Sequence, residues 1–138
     1  MRVFFAHPKR MSDEETDRLT RAVQTVFSDD GIRAIVIPGR DDYMTYGPSA
    51  GTFQAWAVDV VTRTNPDRSP FYDAIVVPGR VIGSATRIIV QGALAQKMPV
   101  LVVEQNDSDN GMPIEFSPVR EVITENDQDY ASGWWLDT

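Results

Sequence analysis

Residues 34–40 read AIVIPGR and residues 74–80 read AIVVPGR. Each copy is an apolar run with no polar alternation, cut off by Pro-Gly and followed by an arginine. An unbroken apolar run of this length suits a strand covered on both faces, which is the condition of a parallel sheet packed between helices. The Pro-Gly pair stops the strand, because proline lacks the ladder N–H and glycine turns the chain tightly. The copies lie 40 positions apart with dissimilar sequence between them, so they form no solenoid repeat. They read as one solution used twice: a buried parallel strand with a tight turn at its carboxyl end.

The rest of the chain alternates in the same way. Residues 2–6 (RVFFA) read as a first strand. Ser12 and Glu15 have the spacing of a capping box, and Leu19, Val23, Val26 and Phe27 follow at helical spacing until Asp30-Gly31. Residues 32–37 form the second strand. Residues 41–51 are polar, with Tyr43, Tyr46, Gly47 and Pro48, and read as a loop that either covers a base or sugar or packs on its own aromatics. Phe53, Trp56, Ala57, Val60 and Val61 make a second helical stripe, with Trp56 in the core. Residues 64–70 are a loop and residues 73–77 the third strand. Gly83-Ser84 opens a third helix, which buries Ile88, Ile89, Ala93 and Leu94. Residues 99–103 are a fourth strand and residues 119–124 a shorter fifth. Strands alternating with helices imply parallel strands joined by crossovers. The expected fold is α/β, a flavodoxin-like (Rossmann-like) three-layer sandwich. Its parallel sheet has four to five strands in the order 2-1-3-4, with strand five outermost.

A length of 138 residues suits one domain. The 20 acidic against 13 basic residues give a net charge of −7, which disfavours nucleic acid, whose phosphates need a basic face. Without cysteine there is no disulfide, thiolate nucleophile or zinc–cysteine site. No metal or cofactor site is expected, and residues 106–110, rich in Asp and Asn, read as a solvated loop. MRVFFAHPKR lacks the apolar core of a signal peptide and no run is long enough to span a bilayer, so the expectation is a cytoplasmic protein away from membranes. The tail, residues 125–138, carries Trp134 and Trp135 and is expected to pack either on its own domain or, the favoured reading, on a neighbouring subunit of a homo-oligomer, a dimer or higher.

In open α/β sheets ligands bind outside the carboxyl ends of the strands, at the switch in strand order. His7, Arg40, Arg80 and Glu104 follow strands one to four. Arg40 and Arg80 would flank His7, which reads as a general acid, a ligand donor or a turn residue. Gly83, Ser84 and Thr86 lie between a strand and a helix, where backbone N–H groups and hydroxyls suit a phosphate or carboxylate; Ser84 as a simple helix cap is the plain alternative. Glu104 reads as a general base or a stabiliser of turn N–H groups. Asp59 lies off the apolar stripe of its helix, on the solvent side or towards the cleft.

VFFAHP, the tryptophan-bearing helix that ends near Asp59, and YDAIVVPGR…GSATRIIVQGALAQKMPVLVV together resemble the nucleoside 2-deoxyribosyltransferase-like superfamily over residues 1–103. The resemblance implies a flavodoxin-like fold and oligomers that share a site. It also implies action at the N-glycosidic bond of a nucleoside or its monophosphate, as a deoxyribosyltransferase or N-glycosidase. A carboxylate on the third helix would attack the anomeric carbon, and a serine near the helix start, here Ser84, would hold the 5′-phosphate. The chain departs from this pattern at the nucleophile. That position falls on Ile89, or on Gln91 with a small shift, and residues 82–100 contain no Asp or Glu. Phe5 also replaces a tyrosine of some members. Either Asp59, Glu104 or Asp42 supplies the carboxylate, with His7 as acid and Tyr43 over the ligand, or the chain binds a nucleotide without cleaving it.

Overall fold

The computed structural model describes residues 1–7, 12–78, 82–103, 105–106, 115–116, 121–123 and 136–137, with the side chains of 1–7, 12–77 and 86–103. The elements in chain order are β1 (Arg2–Phe5), α1 (Asp13–Asp29), β2 (Ile35–Pro38), α2 (Gly39–Ala50), α3 (Phe53–Thr62), β3 (Ala74–Pro78), β4 (Ile82–Gly83), α4 (Ser84–Ala95), β5 (Val100–Val103), β6 (Gln105–Asn106), β7 (Glu115–Phe116), β8 (Glu121–Ile123) and β9 (Leu136–Asp137). The main sheet has the order β2-β1-β3-β5-β8. Its first four strands are parallel, which is the expected 2-1-3-4 arrangement. The fifth, β8, runs antiparallel to β5.

Alternation along β1 divides the interior. Val3 and Phe5 face α1 and pack with Leu19, Val23, Phe27, Val36 and Val76. Phe4 and Ala6 face the other way, against Trp56, Val60, Tyr72, Ile75 and Ile89. A strand covered on both faces must be apolar at every position, and RVFF obeys this after its first residue.

Helix α1 starts where the capping box places it: the Ser12 hydroxyl accepts from the Glu15 N–H at 3.2 Å. Gly31, with φ of +73°, takes the chain out of it. The Thr52 hydroxyl caps α3 in the same manner, 3.0 Å from the Ala55 N–H.

The loop expected at residues 41–51 is a helix. Asp41 and Asp42 occupy its first turn, where carboxylates meet the positive end of the helix dipole. Tertiary packing overrides the loop signals. The Tyr43 ring lies across Gly47, where an added Cβ would come within 2.6 Å of the ring. Pro48 falls near the helix end and removes only a late N–H. Tyr43 also packs edge-on to Trp56, and Tyr46 edge-on to Phe71. The two tyrosines therefore pack on the domain's own aromatics.

Helices α3 and α4 approach closely at Gly92, where an added Cβ would stand 2.8 Å from Val61 Cγ2. Val61 is buried and β-branched and cannot swing clear. Gly92→Ala is therefore expected to cost about 1–2 kcal/mol despite alanine's better helix propensity. Val61→Ala in the same chain should recover most of that. Urea midpoints of the two single variants and the double variant measure the compensation; strict additivity would refute the contact.

Candidate functional site

The strand order reverses around β1, with β2 on one side and β3 on the other, and the carboxyl ends of these strands lie at the place where open α/β sheets bind ligands. His7 follows β1 there. Its Nε2 accepts the Arg40 N–H at 2.9 Å, in the first turn of α2. Nε2 of His7 therefore serves as an acceptor in this contact. Gly39 makes the contact possible. An added Cβ there would lie 3.1 Å from Phe4 Cζ, 3.5 Å from the Phe5 carbonyl oxygen and 3.7 Å from His7 Nε2. The glycine of the first PGR phrase is thus set by close approach to β1.

Arg40 brings its backbone to His7, but its side chain turns to α1. Its guanidinium bonds Asp17 at 2.7 Å, Asp41 at 2.9 Å and Asp13 at 3.3 Å. The bonds to Asp17 and Asp41 raise its pKa further above the ordinary arginine value. Each such pair with an exposed carboxylate contributes only about 0.2–1 kcal/mol. Together they hold the side chain away from an incoming anion.

Gly83 pairs in parallel with Asp137 of β9, so part of the tail lies against its own chain beside the start of α4. Ser84 opens α4 and Thr86 is half-buried in its first turn. Arg80, Glu104 and both tail tryptophans lie outside the described residues. Ile89 is in the core, 3% exposed, and Gln91 is exposed on α4.

A second polar assembly lies beneath α2 and α3. The Asp42 carboxylate is fully enclosed, with a side-chain exposure of 0%. Its Oδ1 accepts Trp56 Nε1–H at 2.8 Å and Arg63 Nη2 at 3.1 Å; its Oδ2 accepts Arg63 Nη1 at 2.7 Å and the Tyr72 hydroxyl. Arg63 also binds Asp59 through Nε at 3.0 Å and Nη2 at 2.6 Å, and its guanidinium stacks 3.6 Å from the Tyr46 ring centroid. Burial alone would push the Asp42 carboxyl up, but the bonds from Arg63, Tyr72 and Trp56 outweigh it and hold the group below the ordinary aspartate range. Burial and the Asp42 carboxylate drive the Tyr72 phenol upward. For Arg63, burial opposes the charge, and the carboxylates of Asp42 and Asp59 more than offset it.

Asp42 and Asp59 thus belong to one structural knot, with Asp59 on its rim. Asp42 has no lone pair left for chemistry, and Asp59 is engaged by Arg63. Tyr43 is part of the aromatic group beside this knot. Sequence reading placed Trp56 in the core but missed Arg63 and Tyr72. The available signal was that a buried tryptophan and a buried tyrosine each require an acceptor, and Asp42 lies on the neighbouring helix.

Among the described residues no helix is long and apolar enough to cross a membrane, and no group of three or more His, Cys, Asp or Glu could hold a metal ion. Compared with known proteins, the chain matches no family model, no curated protein and no solved structure.

Proposed function

We propose that the protein binds a nucleoside monophosphate at the carboxyl edge of its sheet, without cleaving the glycosidic bond. The observation that carries this reading is the switch in strand order at β1, with α4 opening at Ser84 after β3. A strand-to-helix turn at a switch point offers backbone N–H groups and the positive end of a helix to a phosphate. Thr86 adds a hydroxyl in the first turn of α4, and Arg80 and Ser84 are its neighbours in the sequence. Of the candidate carboxylates, those among the described residues argue for binding over cleavage. Asp42 and Asp59 are held by Arg63, and Ile89, at the expected nucleophile position, is a core residue.

Calorimetric titration of nucleoside monophosphates and the matching nucleosides tests the proposal. Arg80→Ala and Ser84→Ala should each weaken the monophosphate about tenfold, the effect of losing one charge-assisted hydrogen bond, and leave the nucleoside nearly unchanged. Equal losses for both ligands would remove the phosphate from this turn. Release of free base during incubation would replace binding with N-glycosidase activity, with Glu104 as the carboxylate to substitute next.

A further inference from the structure

Strand β2 is an outer strand of the main sheet, so among the described residues one side of its backbone has no neighbouring strand. The Ile35 N–H points inward, donating to the Met1 carbonyl at 2.9 Å, and the parallel register with β1 turns Ile37 the same way. The backbone N–H and C=O positions of residues 36 and 38 therefore point outward. Proline has no N–H, which leaves Val36 as the one outward donor of β2. The side chain of Gln24, from α1, covers it. Gln24 Oε1 accepts the Val36 N–H at 3.1 Å, and Gln24 Nε2–H donates to the Ala34 carbonyl at 2.7 Å.

This is the pattern of a parallel ladder. A residue opposite Ile35 on a sixth strand would donate its N–H to the carbonyl of residue 34 and accept from the N–H of residue 36. The primary amide of Gln24 presents the same donor and acceptor to the same two groups. We infer that Gln24 acts as a side-chain strand cap, which closes the outer edge of β2 to pairing with a second copy of this chain. The edge has reason to be closed. Ile35 is 65% exposed there, and Met1 and Ile32 are exposed close by. An apolar outer strand with an open donor is a template for edge-to-edge association.

The test uses Gln24→Leu, which keeps the helix and removes the amide. Its mass, followed by light scattering against concentration, should show an associated species absent from the unmodified protein. Ile35→Lys in the same chain should abolish that species, because a charge on the paired strand opposes edge contact. An unchanged mass at all concentrations, or association that Ile35→Lys does not suppress, would overturn the inference. Hydrogen exchange in the unmodified protein tests it without a variant. The Val36 amide should be protected like those of Ile35 and Ile37, and exchange at the rate of an open edge would overturn it even if Gln24→Leu fails to fold.

Discussion

Asp42→Ala is expected to lower the free energy of unfolding by about 3–5 kcal/mol, the range for stripping one partner from a buried ion pair. The loss exceeds that of a single contact because four hydrogen bonds end on this carboxylate. Without it, the Arg63 guanidinium, at 10% side-chain exposure, keeps only Asp59, and the Trp56 N–H and the Tyr72 hydroxyl lose their acceptor. Urea denaturation measures the change, and a loss below about 1 kcal/mol would mean that water replaces the carboxylate at little cost. Asp42→Leu combined with Arg63→Met should recover much of the stability, since an apolar pair leaves no charge behind. The two single variants complete the cycle and isolate the coupling.

The same cluster sets the pH limits of the fold. The Asp42 carboxyl titrates lower in the folded chain than in the unfolded one, so the unfolded chain holds more protons between those two values. Its stabilisation is full above about pH 4 and is lost as pH falls through the folded value. Tyr72 behaves oppositely. Its raised folded value gives stabilisation that is full below about pH 10 and is lost as pH rises beyond that. Tyr72 should therefore ionise only as the protein unfolds, which phenolate absorbance can follow. Asp42→Asn should remove this group's share of the acid limb; an identical acid limb in that variant would assign it to other carboxylates.

Gly39→Val carries the second large effect, an expected loss of about 2–3 kcal/mol from overpacking. Its Cβ alone would stand 3.1 Å from Phe4 Cζ. Phe4 cannot retreat, because its ring is held edge-on by Tyr72 at 5.4 Å between centroids and flanked by Trp56 at 6.1 Å. The strain would instead displace the first turn of α2 and break the Arg40 N–H bond to His7. The imidazole nitrogen shifts of His7, read by NMR, should report that break. Unchanged shifts with full stability would show that the turn has room that the geometry denies.

What the sequence revealed, and what it concealed, follows the range of the interactions. β1, the Ser12 cap and the apolar faces of α1, α3 and α4 were legible because each is fixed by neighbours a few positions away. Helix α2 was not. Gly47 and Pro48 read as turn residues, and the packing of Tyr43 on Phe53 and Trp56 that overrides them spans two helices. The reversed direction of β8 was equally hidden, since an apolar run carries no arrow. Arg40 read as a ligand group because its local setting, a strand-end turn, is where such groups occur. Its actual partners, Asp13 and Asp17, come from 27 and 23 positions earlier. Gln24 gave no signal at all, because a glutamine on a helix surface is unremarkable until the strand edge beneath it is known.

Strand β1 also carries one of the long-span ties of the chain. Its first residue is tied to Asp73 across 71 positions, with Arg2 N–H meeting the Asp73 carboxylate at 2.8 Å. The contacts of α1 with β2 close over far shorter spans, as between Gln24 and Val36, 12 positions apart. Closing the longer loop carries the larger entropy, and parallel pairings of this span slow folding. Until β3 pairs with β1, Phe4 lacks Tyr72 and Ile75 and Phe5 lacks Val76, so a chain in which that pairing is open shows an aromatic surface to its surroundings.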